Sequence, residues 1–229
     1  MNYTYREIAK MIDHSLLNPT LTDAELEQGC QVARTYDVAT VCIKPYAVAR
    51  CAAWLAGSTV KPATTIGFPH GGHATAVKVA EVEQALHDGA QELDMVVNIG
   101  QVLSGDWDSV RREIAAVVAA SHAGGAILKV IFENCYLQDE HKIRLCQICG
   151  EVGADFVKTS TGFGSGGATL EDLRLMRQHA PAHVQVKAAG GIRSLDQLLA
   201  ARAAGATRVG ATRTVEMLEE CRRRLAGQG

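Results

Sequence analysis

Short apolar runs alternate with longer amphipathic segments along the whole chain. The apolar runs predict eight strands, at residues 11–15, 39–43, 61–66, 91–97, 126–132, 154–159, 184–188 and 207–210. The segments between them have helical periodicity, and three begin with capping signals: Thr22 with Glu25, Thr169 with Asp172 and Ser194 with Gln197. The repeating unit of the chain is therefore a strand followed by a helix.

Glycine marks the points where helices turn back into strands. Gly-Ala dipeptides precede four of the predicted strands, at residues 89–90, 125–126, 153–154 and 205–206. Because no linker or low-complexity stretch interrupts the repeat, we predict an α/β fold: one (β/α)8 TIM barrel over residues 1–229, with a short N-terminal helix. An open doubly wound sheet is the alternative, but no GxGxxG motif follows the first strand.

Composition narrows the possible functions. The chain has 229 residues, of which 47% are hydrophobic and 21% are charged, as expected for one enzyme-sized domain. Its net charge of -2, from 23 basic and 25 acidic residues without a long block of one sign, argues against binding to nucleic acid or to a membrane surface. We expect a cytoplasmic protein, because we find neither an apolar N-terminal signal region nor a run long enough to span a membrane. Seven cysteines, an odd number, favour reduced thiols.

Two lysines lie near the carboxyl ends of predicted strands, where core side chains are expected. Lys158 and Lys187 each follow a short apolar run and precede small residues. Neighbouring strands about 4.8 Å apart would bring their ammonium groups within roughly 5 Å of each other. The repulsion, about 3 kcal/mol at an effective dielectric of about 20, would leave one lysine partly neutral near pH 7 and able to form a Schiff base. The simpler interpretation is that both side chains extend to solvent.

Alternation along the strands predicts which side chains enter the barrel lumen. If the apolar residues of the fourth strand face the outer helices, Asp94 faces inward. The same parity turns Lys129, Lys158 and Lys187 inward. Burial of several charges is tolerable only when they pair, so such a cluster indicates function. The alternative is that one or more of these parities is shifted by a residue.

Four motifs carry a resemblance to a known family. They are IDHSLL at 12–17, ELDMVVNIG at 92–100, VKTSTGF at 157–163 and KAAGGIR at 187–193. In sequence, order and spacing they resemble the deoxyribose-phosphate aldolase family, and the similarity extends over nearly the whole chain. The resemblance implies a class I aldolase that reversibly cleaves 2-deoxy-D-ribose 5-phosphate into D-glyceraldehyde 3-phosphate and acetaldehyde. Such an enzyme needs no metal and no organic cofactor, because the lysine itself is the electron sink.

The resemblance also assigns catalytic roles. It implies that Lys158 forms the Schiff base, that Lys187 depresses the pKa of Lys158, and that Asp94 takes part in proton transfer. Lys129 would pair with Asp94, either to assist the reaction or as a structural ion pair.

Substrate-binding residues are predicted at the carboxyl ends of the strands. The glycines there leave the backbone open to a phosphate near helix N-termini, although each could also be an ordinary turn; they are Gly162, Gly190, Gly191 and Gly210. Where the family usually has a serine-rich run, Thr212 is predicted to offer a hydroxyl to the phosphate and Arg213 a positive charge. Ser15 is also predicted to bind substrate, because it stands where the family commonly has threonine and keeps the hydroxyl. The other residues predicted to bind substrate are Asp13, Cys42 and Lys129.

Two other motifs and two other functions are less consistent with the sequence. The CxxC of Cys146 and Cys149 favours core packing over zinc or redox chemistry, and His70 and His73 favour a rim loop over a metal site. A phosphosugar isomerase would not need the lysine pair, and a noncatalytic phosphosugar-binding barrel would leave Asp94 and both lysines unexplained. We expect phosphosugar and aldehyde ligands, no metal, and a homodimer or higher homo-oligomer.

Overall fold

The computed structural model describes residues 3–227, which form one closed barrel of eight parallel strands. The strands are β1 (Ile12–Leu16), β2 (Thr40–Ile43), β3 (Lys61–Ile66), β4 (Glu92–Val96), β5 (Ile127–Ile131), β6 (Phe156–Lys158), β7 (Gln185–Ala189) and β8 (Arg208–Ala211). Each strand pairs with the next in sequence, and β8 pairs with β1 to close the barrel. The predicted (β/α)8 barrel is confirmed, whereas the first two and last two residues of the predicted domain lie outside the described residues.

Helices surround the barrel in the predicted alternation, after one short N-terminal helix. They are α1 (Tyr5–Ala9), α2 (Asp23–Tyr36), α3 (Val48–Leu55), α4 (Thr75–His87), α5 (Ile99–Leu103), α6 (Trp107–Ala123), α7 (Asp139–Val152), α8 (Leu170–His179), α9 (Leu195–Ala203) and α10 (Thr214–Ala226). The predicted caps are present: Thr22 forms a capping box with Glu25, and the side chains of Thr169 and Ser194 cap α8 and α9.

The strands separate an apolar core, between the barrel and the helices, from a charged lumen inside the barrel. Outward-facing residues such as Leu93, Met95 and Val97 pack with the helices in one continuous apolar core. Inward-facing residues at alternate positions fill the lumen, where the register pairs Asp94 with Lys129 and Lys158 with Lys187. The predicted parity is therefore confirmed, and it concentrates charge inside the barrel.

The strand ends lie within two residues of the prediction, and β3 matches it at both ends. The predicted sixth strand at 154–159, for example, is observed only over Phe156–Lys158. Flanking residues such as Ala154 are equally buried, but they belong to the turns that enter and leave the strand. Apolar patterning reports burial, whereas a strand boundary depends on the hydrogen-bond ladder.

Three further properties concern residues 3–227 as a group. None of the helices there is long and apolar enough to cross a membrane. All seven cysteines are free thiols, and Cys146 and Cys149 of the CxxC are buried in the packing face of α7. Within these same residues, no group of three or more histidine, cysteine or acidic side chains is arranged to hold a metal ion.

Candidate active site

Asp94 lies at the centre of the charged lumen. Its Oδ1 accepts a hydrogen bond from Lys129 Nζ at 2.8 Å, and its Oδ2 accepts from Lys158 Nζ and Lys187 Nζ, each at 2.7 Å. Because Lys158 Nζ and Lys187 Nζ each lie 2.7 Å from the same oxygen, these two nitrogens are at most about 5.4 Å apart. The carboxylate has no exposed surface, so the three lysines serve as its solvation shell.

The three lysines differ in their remaining partners. Lys187 also contacts Asp13 at 2.5 Å, and Lys129 also contacts Glu92 at 2.7 Å. Lys158 contacts no carboxylate other than Asp94 within the described part of the chain. It is therefore the lysine whose positive charge is compensated least.

The pKa values follow these contacts. Burial, followed by the positive charge of Lys187, lowers the pKa of Lys158 below its ordinary value even though Asp94 opposes this. Burial also disfavours the charge on Lys187, but Asp13 and Asp94 outweigh it and raise the pKa of Lys187. The pKa of Lys129 is raised in the same way by Asp94 and Glu92. Of the lysines in the lumen, Lys158 is thus the one most readily neutral and nucleophilic.

A cavity of about 400 Å³ opens above this cluster at the carboxyl ends of the strands. Both Lys158 and Lys187 line it, each less than 4% exposed. Of the residues predicted to bind substrate, the structure places these in its wall: Asp13, Ser15, Cys42, Gly162, Gly190, Gly191, Gly210 and Thr212.

Two predicted site residues lie beneath the cavity and not in its wall. Lys129 was predicted to contact substrate, but it is fully buried and bound to Asp94 and Glu92, so this prediction is corrected. Its parity is right, yet it stands one layer deeper in the lumen than Lys158. Asp94 is likewise screened from the cavity by Lys158 and Lys187.

One end of the cavity is made of glycine-rich backbone. Gly190 and Gly191 have φ values of +81° and +86°, and a Cβ on Gly190 would lie 2.8 Å from the Cα of Gly167. The cavity wall here also includes Arg193 and Thr212, which precede the N-termini of α9 and α10. The start of α10 has no side-chain cap, so its N–H groups and the guanidinium of Arg193 suit this end to an anion. Arg213 is exposed and does not line the cavity.

A buried carboxylate holds the loop that follows β6. Glu133, 2% exposed, accepts hydrogen bonds from Thr161 N at 3.1 Å and from the Thr161 hydroxyl, which in turn accepts from Phe163 N at 2.9 Å. This arrangement orients the backbone of Gly162 at the cavity wall. The ring of Phe163 also packs edge-on against Phe68 of the loop after β3, with centroids 5.3 Å apart.

Cys42 lines the cavity as a buried thiol, whereas two histidines lie on a nearby exposed loop. Burial, followed by the negative charge of Asp94, raises the pKa of Cys42 to about 11, so this thiol is protonated at neutral pH. His70 and His73 are exposed on the loop after β3, as predicted, and neither lines the cavity.

Sequence reasoning missed three residues that organise the site. Arg208 binds Asp13 at 2.5 Å and Glu92 at 2.7 Å, both through Nη2. The parity that placed Asp94 in the lumen also places Glu92 there, and the parity of Gly210 does the same for Arg208. Glu133 carried no comparable signal, since it follows β5 in a left-handed conformation with φ of +58°.

Comparisons with known proteins agree with this geometry. The DeoC/LacD family aldolase profile matches residues 7–217. The deoxyribose-phosphate aldolase of Rhodopirellula baltica is 64% identical over 98% of this chain and 93% of its own length, and that of Thermococcus gammatolerans is 50% identical over 94% and 97%. The tetrameric deoxyribose phosphate aldolase structure from Aeropyrum pernix superposes with a TM-score of 0.89 at 31% identity, covering 96% of this chain and 92% of that one.

Proposed function

The chain belongs to the DeoC/LacD family of aldolases, and we propose that Lys158 is the residue through which it performs deoxyribose-phosphate aldolase chemistry. The reaction is the reversible cleavage of 2-deoxy-D-ribose 5-phosphate into D-glyceraldehyde 3-phosphate and acetaldehyde. The observation that supports this role is that Lys158 lines the cavity, has one carboxylate partner and has a lowered pKa.

Cleavage begins when the neutral amine of Lys158 attacks C1 of the open-chain sugar. Loss of water converts the carbinolamine into an iminium ion, which withdraws electrons from the C2–C3 bond. When a base takes the proton of the C3 hydroxyl, that bond breaks, C3 becomes the aldehyde of glyceraldehyde 3-phosphate, and the electron pair forms an enamine. Protonation at C2 and hydrolysis release acetaldehyde and restore the amine.

Asp94 is the internal acceptor for these proton transfers in our proposal. Because Lys158 and Lys187 separate it from the cavity, it exchanges protons with substrate through Lys187 or through a water molecule. Lys187, which is held between two carboxylates, supplies the positive charge that keeps Lys158 neutral. Lys129 anchors the other oxygen of Asp94 and fixes its orientation.

The glycine-rich end of the cavity is the proposed phosphate site. The backbone at Gly162, Gly190 and Gly191 and the hydroxyl of Thr212 suit an anion, and Arg193 adds a positive charge. We place the sugar against another part of the wall, which includes Asp13, Ser15, Cys42 and Gly210. A homo-oligomer is proposed from the tetrameric relative, whereas the cytoplasmic location stays a prediction from sequence.

Reductive trapping tests the proposed nucleophile. The protein is incubated with acetaldehyde and borohydride, and the labelled peptide is identified by mass spectrometry. We expect N-ethyl lysine at Lys158 only, and no label in Lys158→Met. A label at Lys187 would exchange the two lysine roles, whereas folded protein without label would contradict Schiff-base catalysis and favour an isomerase or a binding protein.

A matched variant separates nucleophile from electrostatic partner. Lys187→Met should still be labelled at Lys158, but at least tenfold more slowly near neutral pH, because loss of the neighbouring charge raises the pKa of Lys158. The cleavage itself is followed as glyceraldehyde 3-phosphate formation from 2-deoxyribose 5-phosphate.

A further inference from the structure

The ionisable groups of the lumen form one connected network whose charges do not balance. Its carboxylates are Asp13, Glu92 and Asp94, and its cations are Lys129, Lys158, Lys187 and Arg208. These members come from β1, β4, β5, β6, β7 and β8; the thiol of Cys42, from β2, is neutral. With all seven groups ionised, four positive charges face three negative ones in a site that water scarcely reaches. The network reaches neutrality when one cation loses its proton.

Only Lys158 is free to make that adjustment. Arg208 stays protonated because a guanidinium does not deprotonate in proteins. Lys129 and Lys187 each bind two carboxylates at 2.8 Å or less, whereas Lys158 binds one that it shares with Lys187. The permanent charge is thus on Arg208, and the variable charge is on Lys158.

Arg208 lies outside the wall of the cavity, so it does not contact a substrate there directly. It lies at the start of β8, beneath the cavity and outside its wall, with its side chain 12% exposed. It bridges Asp13 and Glu92, and these two carboxylates are the second partners of Lys187 and Lys129 respectively. The central carbon of its guanidinium also lies 5.8 Å from the centroid of the Phe156 ring.

We propose that Arg208 is a positioning residue whose fixed charge, transmitted through Asp13 and Glu92, keeps the amine of Lys158 neutral. The arginine occupies two carboxylates that would otherwise be available to hold a proton on the lysines. It therefore acts on the nucleophile by setting the charge balance of the whole lumen. This inference rests on the proposed function, because it takes Lys158 as the nucleophile.

Charge-balance variants test the proposal by the sign of their effects. The acid limb of the pH profile of kcat/KM reports the protonation of Lys158 in the free enzyme. Arg208→Gln removes a positive charge and should move that limb to higher pH by about one unit. Glu92→Gln removes a negative charge and should move it to lower pH. The double variant Glu92→Gln/Arg208→Gln restores the excess of one positive charge and should return the limb to the wild-type position, as should the single variant Arg208→Lys.

A second readout does not depend on turnover. The rate at which acetic anhydride acetylates Lys158, followed by mass spectrometry across the same pH range, should shift with each variant in the same direction as the acid limb. If Arg208→Gln does not fold, Glu92→Gln tests the same balance with the opposite sign. Opposite shifts of the acid limb in Arg208→Gln and Glu92→Gln support the proposal, since a mere loss of packing would shift the limb in the same direction in both variants.

The outcome that would overturn the proposal differs from the failure of the proposed function. If borohydride trapping labels Lys158 in every variant while the acid limb stays fixed or moves the same way in both single variants, Arg208 is not a charge regulator. If Lys158 is never labelled in folded protein, the proposed function itself is wrong.

Discussion

At the scale of single residues, the charge of each lysine in the site depends on how many carboxylates contact it. Lys158 and Lys187 share one oxygen of Asp94 and lie in the same layer of the lumen, yet only Lys187 has a second carboxylate in contact. The additional ion pair with Asp13 raises the pKa of Lys187, whereas Lys158, which lacks such a pair, has a lowered pKa and is the lysine that we propose as the nucleophile. Substitutions that change a partner are thus expected to alter the reaction as much as substitutions of the lysines.

Glu133 gives a residue-scale prediction that separates phosphate binding from chemistry. Glu133→Ala removes both acceptors of Thr161 and loosens the Gly162 backbone at the proposed phosphate end. Hydrogen bonds to a charged group are worth about 1.5–3 kcal/mol, so KM for 2-deoxyribose 5-phosphate should rise at least about tenfold. The measurement is steady-state kinetics with 2-deoxyribose 5-phosphate and with unphosphorylated 2-deoxyribose.

The unphosphorylated sugar is the internal control for Glu133→Ala. Its kcat/KM should change much less, and Glu133→Gln, which can still accept from Thr161, should recover most of the affinity for the phosphorylated sugar. Equal losses with both sugars would mean that Glu133 supports the fold of the loop and not the phosphate site.

Alternation along the strands predicted lumen residues only where that simple period applied. The two-residue period of a strand placed Asp94, Lys129 and Lys158 in the lumen. It did not give their depth along the barrel axis, and so Lys129 was expected to contact the substrate. Depth depends on the stagger of neighbouring strands, which is a property of the closed barrel. Glu133 lies in a loop, where no period operates, and its partnership with Thr161 arises only from the fold.

At the scale of elements, α4 and α6 are joined by a fully buried ion pair. Lys78 Nζ lies 2.8 Å from Glu113 Oε1 and donates to the carbonyl of Val96 at 2.7 Å, while Glu113 accepts from Asn98 N at 3.0 Å. Burial lowers the pKa of Lys78, although Glu113 opposes this. The pair therefore connects two helices to the end of β4, two residues beyond Asp94.

Breaking this pair should cost far more than breaking a surface pair. Lys78→Met leaves a buried carboxylate without its cation, and we expect a loss of about 3–5 kcal/mol in the free energy of unfolding by urea. The double variant Lys78→Met/Glu113→Gln should recover a substantial part, because no charge is then left unpaired. The surface control, Arg223→Met, breaks an exposed pair with Glu220 and should cost less than about 1 kcal/mol. Equal effects of Lys78→Met and Arg223→Met would contradict this account.

The elements themselves were the most predictable feature of the chain. Capping residues such as Thr22 and glycines such as Gly153 act within a few residues, so their signals are complete in the sequence. The buried Lys78 carried no such signal, because a lysine in an amphipathic helix is ordinarily solvated. Its burial results from the close approach of α6, which local sequence does not encode.

At the scale of the whole molecule, the chain must bring its first strand to its last. The repeat of strands and helices predicted a closed barrel, but closure itself is a contact between β1 and β8 across nearly the full length of the sequence. One polar contact reinforces it: His14 Nδ1 lies 2.7 Å from the hydroxyl of Thr214 at the first turn of α10, and His14 is 7% exposed. Burial lowers the pKa of His14 to about 4.

This histidine should make closure of the barrel sensitive to acid. Between its unfolded pKa of about 6.5 and its folded pKa of about 4, the unfolded chain binds a proton that the native protein does not, so stability falls as the pH falls through this window. Between pH 7.5 and pH 5 the loss from His14 should be about 2 kcal/mol. Urea unfolding at both pH values measures it, with His14→Gln as the control, since glutamine keeps a polar contact to Thr214 but does not titrate. If wild type and His14→Gln lost the same stability over this range, His14 would not be the acid-sensitive contact of the closure.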